Sequence, residues 1–504
     1  MFRLTYSFRS LSKSPNLLKL RYPILKFYTM EPTTSASKHK LSGEEPTTKR
    51  IKVSPHECDT CYKCLNEKFC KSCFEHHYEK TQKDFSSGNE TLDNLVKYIR
   101  YSEDDNISFL QWIPFDRLKD VTYLTKGGGG TTSTATWLDG KYVRWSHDEK
   151  RWIRTGETRV AIKTLKDSQS KLDDYVAGLD EYFKCASQYH ITYYGISQET
   201  ATSDYSIIME YADPGDLRQF LAANKFKLYW RRKLELIRDV ISGLEIIHDS
   251  GITHRNLHTG NILKVKNVFV NARINDLGLY TPNIASGEIQ GTLPYMAPEI
   301  LRGQSYTQAS DIYSFAMILW EISCGSRPFA DRSHDTSLVV DIHNGVRPII
   351  PETAASEIPE CFSTLVNQCW DDDPKQRPTA SQIKEKIYEW LLVLGWFPTS
   401  SSREHSETSQ FEAADDAKNK NDKSYSGAIY SQTITPQTPV YTSRKFKRHE
   451  ITPEIAGGSA SISLFIPEEP EESEELEELE EAEEPEELEE SKEFEEPEDD
   501  KDNQ

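Results

Sequence analysis

The sequence has no apolar run long enough to cross a membrane, which takes about 20 consecutive residues, and this predicts a soluble protein. It also has few cysteines outside one short segment. Five of the nine fall between residues 58 and 73, and the other four are scattered along the chain. Scattered cysteines are typical of buried thiols in a reducing compartment. They are Cys185, Cys324, Cys361 and Cys369.

Outside its C-terminus the sequence lacks an excess of either charge. The net charge of the 504 residues is −21, but 23 acidic residues and two lysines lie between 468 and 502, and the rest is balanced. This tail has too few apolar residues to form a core, so residues 467–504 are predicted to be disordered. Two functions stay open for it: a solubilising tail, or a docking site for a basic protein partner.

The leader lacks acidic residues before Glu31 and is rich in Lys, Arg and Ser, which resembles a mitochondrial transit peptide. Met30 is an alternative start, and "KRIKV" at 49–53 resembles a nuclear-import patch. We therefore expect a cytoplasmic or nuclear protein, with mitochondrial import of the long form as the alternative. Residues 1–55 are predicted to be disordered, and neither nucleic acid nor membrane is expected as a partner.

The cysteine-rich segment, residues 56–80, has the spacing C-x2-C-x2-C-x5-C-x2-C. Paired C-x-x-C units suit tetrahedral zinc, although the short loop between the pairs and the fifth cysteine leave the ligand set ambiguous. A small structural zinc site and an unmetallated linker both stay open. The candidate zinc ligands are Cys61, Cys64, Cys70 and Cys73.

The middle of the chain changes from strand-like to helical patterns. Residues 90–117 have helical spacing, and short β-branched runs follow at 121–124, 142–145, 159–165 and 206–211. Beyond Gly215 the pattern predicts helices, with an apolar one over 311–325 that reads as buried. The sequence thus predicts an α+β fold with two lobes over residues 118–395. Residues 396–466, rich in Ser and Thr, are predicted to be a disordered linker.

A series of short motifs appears in this region. They are "VAIK" with Lys163, "HRNLHTGNIL" with Asn261, "NDLGL" with Asp276, "MAPE" with Glu299, "DIY" with Asp311, and "QRPT" with Arg377. Their order and spacing resemble those of protein kinases, in which the arginine of the last motif is the usual partner of the glutamate at 299. Phosphoryl transfer spreads charge over several oxygens, so a lysine and metal-binding oxygens must be placed in advance. Asp276 and Asn261 provide the oxygens that Mg²⁺ prefers.

The chain resembles the tyrosine-kinase-like group of serine/threonine kinases, and especially an expanded fungal family. The residues that carry this resemblance are the cysteine-rich segment, "WIPFDRL" (112–118), "HRNLHTGNIL", "DLGL" and "YTQASDIY" (306–313), so it covers about 58–395. It implies a two-lobed kinase fold that binds ATP and Mg²⁺ between the lobes and takes a protein substrate or partner. It also implies cofactor-binding roles for Gly127, Gly130, Lys163, Glu210 and Ala212, and catalytic-loop roles for Arg255 and His258.

Three departures from the kinase pattern concern catalysis. Asn256 replaces the catalytic aspartate, and an amide is not a base, although it still forms hydrogen bonds. The glycine-rich loop is eroded: Gly127 and Gly130 take the second and third glycine positions, but Thr125 takes the first. A flexible hairpin without a ligand is the alternative interpretation of these glycines.

The third departure lies in the helix after Lys163, which in kinases carries a glutamate that pairs with the lysine. Gly178 takes this position, and Glu181, three residues on and on the same face, is a candidate substitute. Together the three departures favour a pseudokinase that holds ATP and acts in signalling by binding partners. An active or weakly active serine/threonine kinase is the alternative.

Overall fold

The structure, a computed structural model, describes residues that lie between 87 and 467. The described residues are 87–97, 110–127, 130–146, 149, 151–213, 215–224, 228–266, 270–277, 279, 289–394, 406–424, 441–451 and 462–467. All of them belong to one compact unit of the chain, Pro55–Gln504. The leader, the cysteine-rich segment 56–80 and the acidic tail lie outside the described residues, and the predictions for them stay predictions.

The N-terminal lobe contains two helices and most of the strands. They are α1 (Glu90–Lys97), β1 (Gln111–Trp112), β2 (Leu118–Gly127), β3 (Gly130–Trp137), β4 (Tyr142–Ser146), β5 (Arg151–Arg154), β6 (Thr158–Leu165), α2 (Leu172–Cys185), β7 (Tyr193–Gln198) and β8 (Tyr205–Glu210). One six-stranded sheet has the order β1-β7-β8-β6-β3-β2, in which only the β1–β7 pair is parallel. The hairpin β4–β5 forms a separate two-stranded sheet.

Strand β6 lies inside the six-stranded sheet because both of its faces are apolar. Val160 and Ile162 pack with Trp137 and Ile208 on one side, whereas Ala161 belongs to the main core on the other. Such a strand, buried on both faces, reads as a continuous apolar run. This lobe was predicted from four strand-like runs, each of which overlaps an observed strand.

The C-terminal lobe is mainly helical. Its elements are β9 (Gly215–Asp216), α3 (Leu217–Ala223), α4 (Trp230–Asp249), β10 (Ile262–Lys264), β11 (Ala272–Ile274), β12 (Ile289–Gly291), α5 (Pro298–Leu301), α6 (Gln308–Cys324), α7 (Thr336–His343), α8 (Glu352–Ala355), α9 (Glu360–Cys369), α10 (Ala380–Val393), α11 (Ser406–Ser424), β13 (Arg444–Ile451) and β14 (Ile462–Pro467). The predicted α+β fold with two lobes is confirmed.

Helix α6 is the central helix of this lobe. It is apolar on all sides, which is the pattern of a helix surrounded by protein, and it packs against α4 and α9. Thr307 and Ser310 form a capping box at its start, and Gly325 ends it in the left-handed conformation that glycine adopts without strain. The first turn of α6 therefore has a fixed position, and this turn carries Asp311.

Two sequence predictions are corrected by the fold. The segment 90–117 is helical only over Glu90–Lys97 among its described residues, because Gln111–Trp112 pairs with β7 as a strand and Phe115–Arg117 forms a short 3-10 turn. The predicted linker 396–466 contains α11, β13 and β14. The apolar side chains in α11 are few, so its periodicity is weak, but Phe411 and Ala414 are fully buried against the lobe.

Helix α11 packs on an aromatic cluster at the start of α4. The ring of Phe411 lies 5.4 Å from Trp230 and 5.2 Å from Trp390, centroid to centroid. The Asp415 Oδ1 atom accepts a hydrogen bond of 3.0 Å from the backbone N–H of Trp230, the first residue of α4. The start of one helix is thus capped by a side chain 185 residues later in the chain.

The strands β12, β13 and β14 form a three-stranded antiparallel sheet in that order. This sheet joins the segment after β11 to a part of the chain that lies some 150 residues further on. Within the described residues, no helix is long and apolar enough to cross a membrane.

Candidate functional site

A buried ion pair joins the two lobes. Lys163 lies on β6, and its ammonium contacts the Asp276 Oδ2 atom just after β11; both residues are only 6% exposed. The other carboxylate oxygen, Asp276 Oδ1, is buried and has no hydrogen-bond partner among the described residues. A buried carboxylate oxygen without a protein partner is a natural ligand for a hard cation.

The loop 254–261 is fixed to α6 by one carboxylate. Asp311 accepts backbone hydrogen bonds from His254 (2.7 Å) and Arg255 (3.0 Å), and its Oδ2 atom lies 3.0 Å from His248 Nε2. Arg255 has a φ of +70°, a conformation that non-glycine residues rarely adopt. Such a conformation persists only where the surroundings hold it, and here the Asp311 carboxylate does so.

The same loop is joined to the segment that carries Asp276. His254 Nε2 lies 3.0 Å from the backbone oxygen of Asn275, and its Nδ1 accepts from the Asn256 N–H. The Asn275 N–H also donates to the Asn261 backbone oxygen at 2.8 Å. Burial lowers the pKa of His254, so it is neutral, and these contacts require the tautomer with the proton on Nε2. The segments that carry Asn261 and Asp276 are thus joined by a backbone hydrogen bond.

Asn256 occupies the centre of the loop with its amide group unused. The residue is buried, and neither Oδ1 nor Nδ2 has a hydrogen-bond partner among the described residues. Its backbone oxygen accepts from Asn261 Nδ2 at 2.9 Å. The side chain lines a cavity of about 10 Å³ together with Thr292, whose Oγ1 atom is also unpartnered. The loop backbone is intact, but the group at its centre has no charge and accepts no proton.

His258 is buried beside this loop and is neutral. Its Nδ1 atom accepts a hydrogen bond of 3.1 Å from the Gly260 N–H. Burial, together with the nearby Arg218, His254 and Lys163, lowers the pKa of His258 to about 3. The imidazole can therefore donate a hydrogen bond from Nε2 but supplies no positive charge at neutral pH.

Glu181 of helix α2 pairs with Arg255 and not with Lys163, the partner expected from the sequence. Glu181 Oε1 forms an ion pair of 3.1 Å with the Arg255 guanidinium, whereas the ion pair described for Lys163 is with Asp276. Gly178, at the position where a kinase carries its glutamate, is buried in α2 and has no side chain to offer. The expectation that Glu181 substitutes as a partner of Lys163 is therefore not what the described ion pairs show.

The glycine-rich segment forms a tight hairpin. Gly127 and Gly130 are directly paired at the ends of β2 and β3, with two residues between them. Gly130 has a φ of +134°, and a Cβ there would lie 1.9 Å from the Thr164 carbonyl oxygen. At Gly127 a Cβ would meet no atom within 4 Å. Only the second of these glycines is therefore required by the fold, since it lets β3 approach β6 closely.

The segment that connects the lobes contains the other two predicted cofactor-binding residues. Glu210 ends β8, and its carboxylate pairs with the Arg273 guanidinium in β11. Ala212 is buried, and its backbone oxygen accepts from the Gly215 N–H at 3.1 Å. Both residues lie where the small-lobe sheet leads into the helical lobe. The Glu210 side chain forms an ion pair with Arg273 of the large lobe.

One motif pair, Arg377 with Glu299, fixes part of the C-terminal lobe. Arg377 binds Glu299 through two hydrogen bonds of 2.6 and 2.8 Å, and both side chains are buried. A bidentate pair of this kind fixes the orientation of both groups. The end of the segment between Asp276 and Glu299, here called the activation segment, is thereby attached to the loop before α10.

Residues 139–387 match the family model described as protein tyrosine and serine/threonine kinase. This segment is a protein kinase domain. The matched residues include Lys163, Asn256 and Asp276, so the site described above lies inside the kinase domain.

Curated relatives of the kinase domain are named serine/threonine kinases. The probable serine/threonine-protein kinase roco5 of Dictyostelium discoideum is 32% identical over 216 residues, and the serine/threonine-protein kinase STY17 of Arabidopsis thaliana is 28% identical over 199. The probable serine/threonine-protein kinase pats1 of Dictyostelium discoideum is 29% identical over 295 residues. These matches cover 40%, 39% and 55% of this chain, but only 8%, 34% and 8% of the relatives' lengths.

The kinase domain contains a buried network that the sequence analysis missed. The Glu321 carboxylate in α6 accepts hydrogen bonds from the Tyr295 hydroxyl (2.6 Å) and from Thr259 Oγ1 (2.9 Å). Burial raises the pKa of Glu321 to about 7, although these two hydrogen bonds act in the opposite direction. The network joins the catalytic loop to the activation segment. Thr259 lies within "HTGNIL" and Tyr295 directly precedes "MAPE". The signal in the sequence is the glutamate at 321 in a largely apolar helix.

The residues present fit Mg²⁺ but leave zinc untested. Asp276 Oδ1 and the Asn261 amide provide oxygen donors on two segments joined by the Asn275–Asn261 hydrogen bond, and such donors suit a hard cation that takes few protein ligands. Among the described residues, no group of three or more His, Cys, Asp or Glu has the arrangement of a metal centre. Cys61, Cys64, Cys70 and Cys73 lie outside the described residues.

Proposed function

We propose that the kinase domain binds ATP with Mg²⁺ but transfers phosphate poorly, and that it acts in signalling by binding partner proteins. The observation that carries this proposal is Asn256, whose buried and unpartnered amide stands where a general base is needed. General-base catalysis is worth about 10²–10⁴ in rate, so its loss weakens transfer without abolishing it.

Each polar residue of the site has a role in this proposal. Lys163 binds phosphate oxygens, and Asp276 and Asn261 hold Mg²⁺, which neutralises charge on the phosphates when it is bound. Asn256 orients a substrate hydroxyl through a hydrogen bond but takes no proton from it. His258 contributes a neutral hydrogen-bond donor because its pKa is about 3.

Two further contacts support weak transfer. The Lys163 ammonium is paired with Asp276, so phosphate must compete with a carboxylate for this lysine. Arg255 is paired with Glu181, which occupies the guanidinium that would otherwise be open to a phosphate on the activation segment. Both ion pairs cross between the lobes, and both use groups that an active kinase directs to phosphates.

The alternative is an active or weakly active serine/threonine kinase. The Asp311 hydrogen bonds favour it, because they hold the catalytic loop in place although its base is absent. The names of the three relatives favour it as well. Water or a substrate group can also accept the proton when the transition state is largely dissociative.

A thermal shift experiment with the full chain tests nucleotide binding. We expect ATP with Mg²⁺ to raise the melting temperature, and a ligand at ten times its Kd stabilises by about 1.4 kcal/mol. Asp276→Ala should remove the Mg²⁺-dependent part, because it deletes the unpartnered oxygen. Asp180→Ala, a surface change in α2, is the matched control. The absence of any shift with ATP would contradict the nucleotide-binding part of the proposal.

A phosphate-transfer assay separates the two candidate functions. We expect transfer to a generic protein substrate to lie at least about 10²-fold below that of an active kinase. Robust transfer that disappears in Asp276→Ala would establish the enzyme and overturn the pseudokinase proposal. Transfer that persists in Asp276→Ala would indicate a contaminating kinase.

The remaining expectations are part of the same proposal. The partner is a protein, the acidic tail binds a basic partner or keeps the chain soluble, and the chain resides in cytoplasm or nucleus. Mitochondrial import of the form that begins at Met1 is the alternative, and membership in the tyrosine-kinase-like group also belongs here. Imaging of forms that begin at Met1 and at Met30 distinguishes the locations.

A further inference from the structure

The activation segment has its backbone paired with a distant part of the same chain. Strand β12 lies between Asp276 and Glu299, and β13 pairs with it in antiparallel register. Ile289 lies opposite Phe446, Gln290 opposite Lys445, and Gly291 opposite Arg444. In the described sheet, β12 is an edge strand whose neighbour is β13.

The β13 segment is anchored by aromatic side chains. Phe446 is completely buried, and Tyr441 is 8% exposed. The Tyr441 hydroxyl donates to the Pro328 carbonyl oxygen at 3.0 Å, and its ring lies edge-on to the His334 ring, with 4.6 Å between the centroids. Buried aromatic residues of this kind supply most of the energy of a peptide interface.

Among residues 441–446, three side chains are buried and two are exposed. Tyr441, Ser443 and Phe446 are buried, whereas Thr442 and Lys445 are exposed. Arg444 lies on the same strand face as Phe446, because residues two apart share a face. Its guanidinium donates to the His334 carbonyl oxygen and lies 5.6 Å from the Phe446 ring centroid.

Strand β12 lies next to the candidate catalytic residue. Gly291 ends β12, and the next residue, Thr292, lines the same cavity as Asn256. An extended peptide that approaches Asn256 along the activation segment would use the backbone groups of β12. An exposed strand edge accepts such a peptide by β-augmentation, in which main-chain hydrogen bonds give affinity and alternate side chains give specificity.

We propose that β12 is a docking edge for an extended peptide of a partner protein, and that residues 441–446, of which 444–446 pair with it, occupy it as an internal competitor. The peptide that fits has an aromatic residue two positions after a basic residue, as Phe446 follows Arg444. This inference deepens the proposed partner-binding function and rests on it for the nature of the partner. Because the competitor is part of the same chain, its effective concentration at β12 is up to about millimolar. A partner peptide must bind β12 tightly enough to displace it.

The test is an exchange experiment on the full chain with a labelled peptide of residues 441–467. Fluorescence anisotropy measures its binding to the wild-type chain and to Phe446→Ala, which weakens the internal strand while the peptide keeps its phenylalanine. We expect binding to Phe446→Ala to be at least about tenfold tighter than to the wild type. Thr442→Ala, a change at an exposed position of the same segment, is the matched control and should bind as the wild type does.

A second pair of variants tests the same point without removing an anchor. Gln290 and Lys445 are directly opposed, so Gln290→Cys with Lys445→Cys places two thiols at a distance that a disulfide can bridge. Combined with Phe446→Ala, the oxidised form should lose the tight binding of the peptide, and reduction should restore it. The oxidised wild type is the control for the native cysteines.

Three outcomes overturn the inference: equal peptide binding by wild type and Phe446→Ala, equal binding by the oxidised and reduced forms, or tight binding to the wild type. Hydrogen exchange at the amides of 289–291 guards against general unfolding. In Phe446→Ala it should increase there and return to the wild-type rate with peptide, while the amides of α6 stay protected. The ATP-dependent thermal shift of the same proteins reports the proposed nucleotide function separately, so either can fail alone.

Discussion

The large-lobe half of the site and its small-lobe half are held in different ways. The loop 254–261 is fixed by hydrogen bonds from Asp311, and its strained Arg255 conformation depends on them. The glycine hairpin has one glycine that the fold requires, and α2 carries Gly178 where a glutamate is expected. The comparison teaches that a catalytic loop keeps its backbone conformation without the catalytic base when a buried carboxylate, here Asp311, holds its backbone N–H groups. The small-lobe half departs from the kinase pattern at two places, the glycine hairpin and Gly178.

Removal of the Asp311 carboxylate should have the largest effect. Asp311→Ala leaves two buried backbone N–H groups and His248 without their acceptor, which should destabilise the domain by about 3–5 kcal/mol. Urea unfolding of the full chain measures it, and Asp180→Ala, which removes a surface ion pair, should change stability by under about 0.5 kcal/mol. Equal effects of the two changes would mean that Asp311 does not hold the loop.

The second prediction concerns the pH dependence of the same half. Glu321 has a pKa of about 7 in the folded chain against 4.5 as its ordinary value, so the folded state binds more protons between these values. Its contribution to stability is present below about pH 4.5 and is lost as the pH rises through 7, by about 3 kcal/mol in total.

Glu321→Gln tests this, because it keeps the shape of the side chain and removes the titration. The difference in unfolding free energy between wild type and variant should change by about 3 kcal/mol between pH 4.5 and pH 8. A difference that stays constant with pH would show that Glu321 titrates normally. Glu412→Gln in α11, the same change at an exposed glutamate, serves as the control.

The third prediction compares the two glycines of the small-lobe hairpin. Gly130→Ala forces a methyl group against the Thr164 carbonyl oxygen at a positive φ, and should destabilise by about 2 kcal/mol or more. Gly127→Ala meets no neighbour and should change stability by under about 1 kcal/mol. Thermal unfolding measures both. If Gly127→Ala were the more harmful of the two, the hairpin geometry described above would be wrong.

The smallest expected effect is the one on catalysis. Asn256→Asp restores the base, but Gly178 still offers no partner to Lys163, so we expect transfer to rise by less than about tenfold rather than the full general-base factor. The rate of phosphate transfer, measured beside Asn256→Ala, reports it. Strong activity of Asn256→Asp alone would show that the small-lobe departures matter less than the comparison suggests.

The sequence predicts the parts of the site that local motifs encode. In the structure Lys163 contacts Asp276, and Asn261 accepts a backbone hydrogen bond from the residue before Asp276; the apolar run over 311–325 predicts most of α6. The pairing of Glu181 with Arg255 joins residues 74 positions apart, and no local pattern distinguishes it from a pair with Lys163. Tertiary geometry alone makes this choice.

The elements that were missed share a low content of apolar residues. Strand β3 reads "GTTSTATW", whose threonines suit a strand but whose alternation is weak, and it forms because β2 and β6 flank it. Helix α11 buries only a few side chains, and the segment around β13 is basic. Such segments acquire structure from the surface they pack on, which a single sequence does not display.

The contact between α11 and α4 means that the unit that must fold together is longer than the family pattern, which ends at residue 387. A chain cut after Val393 would lose the carboxylate that caps Trp230 and would expose the rings of Trp230 and Trp390 to water. A chimera that replaces this domain with that of a relative must therefore include residues up to about 424, or provide other side chains that cover Trp230 and Trp390.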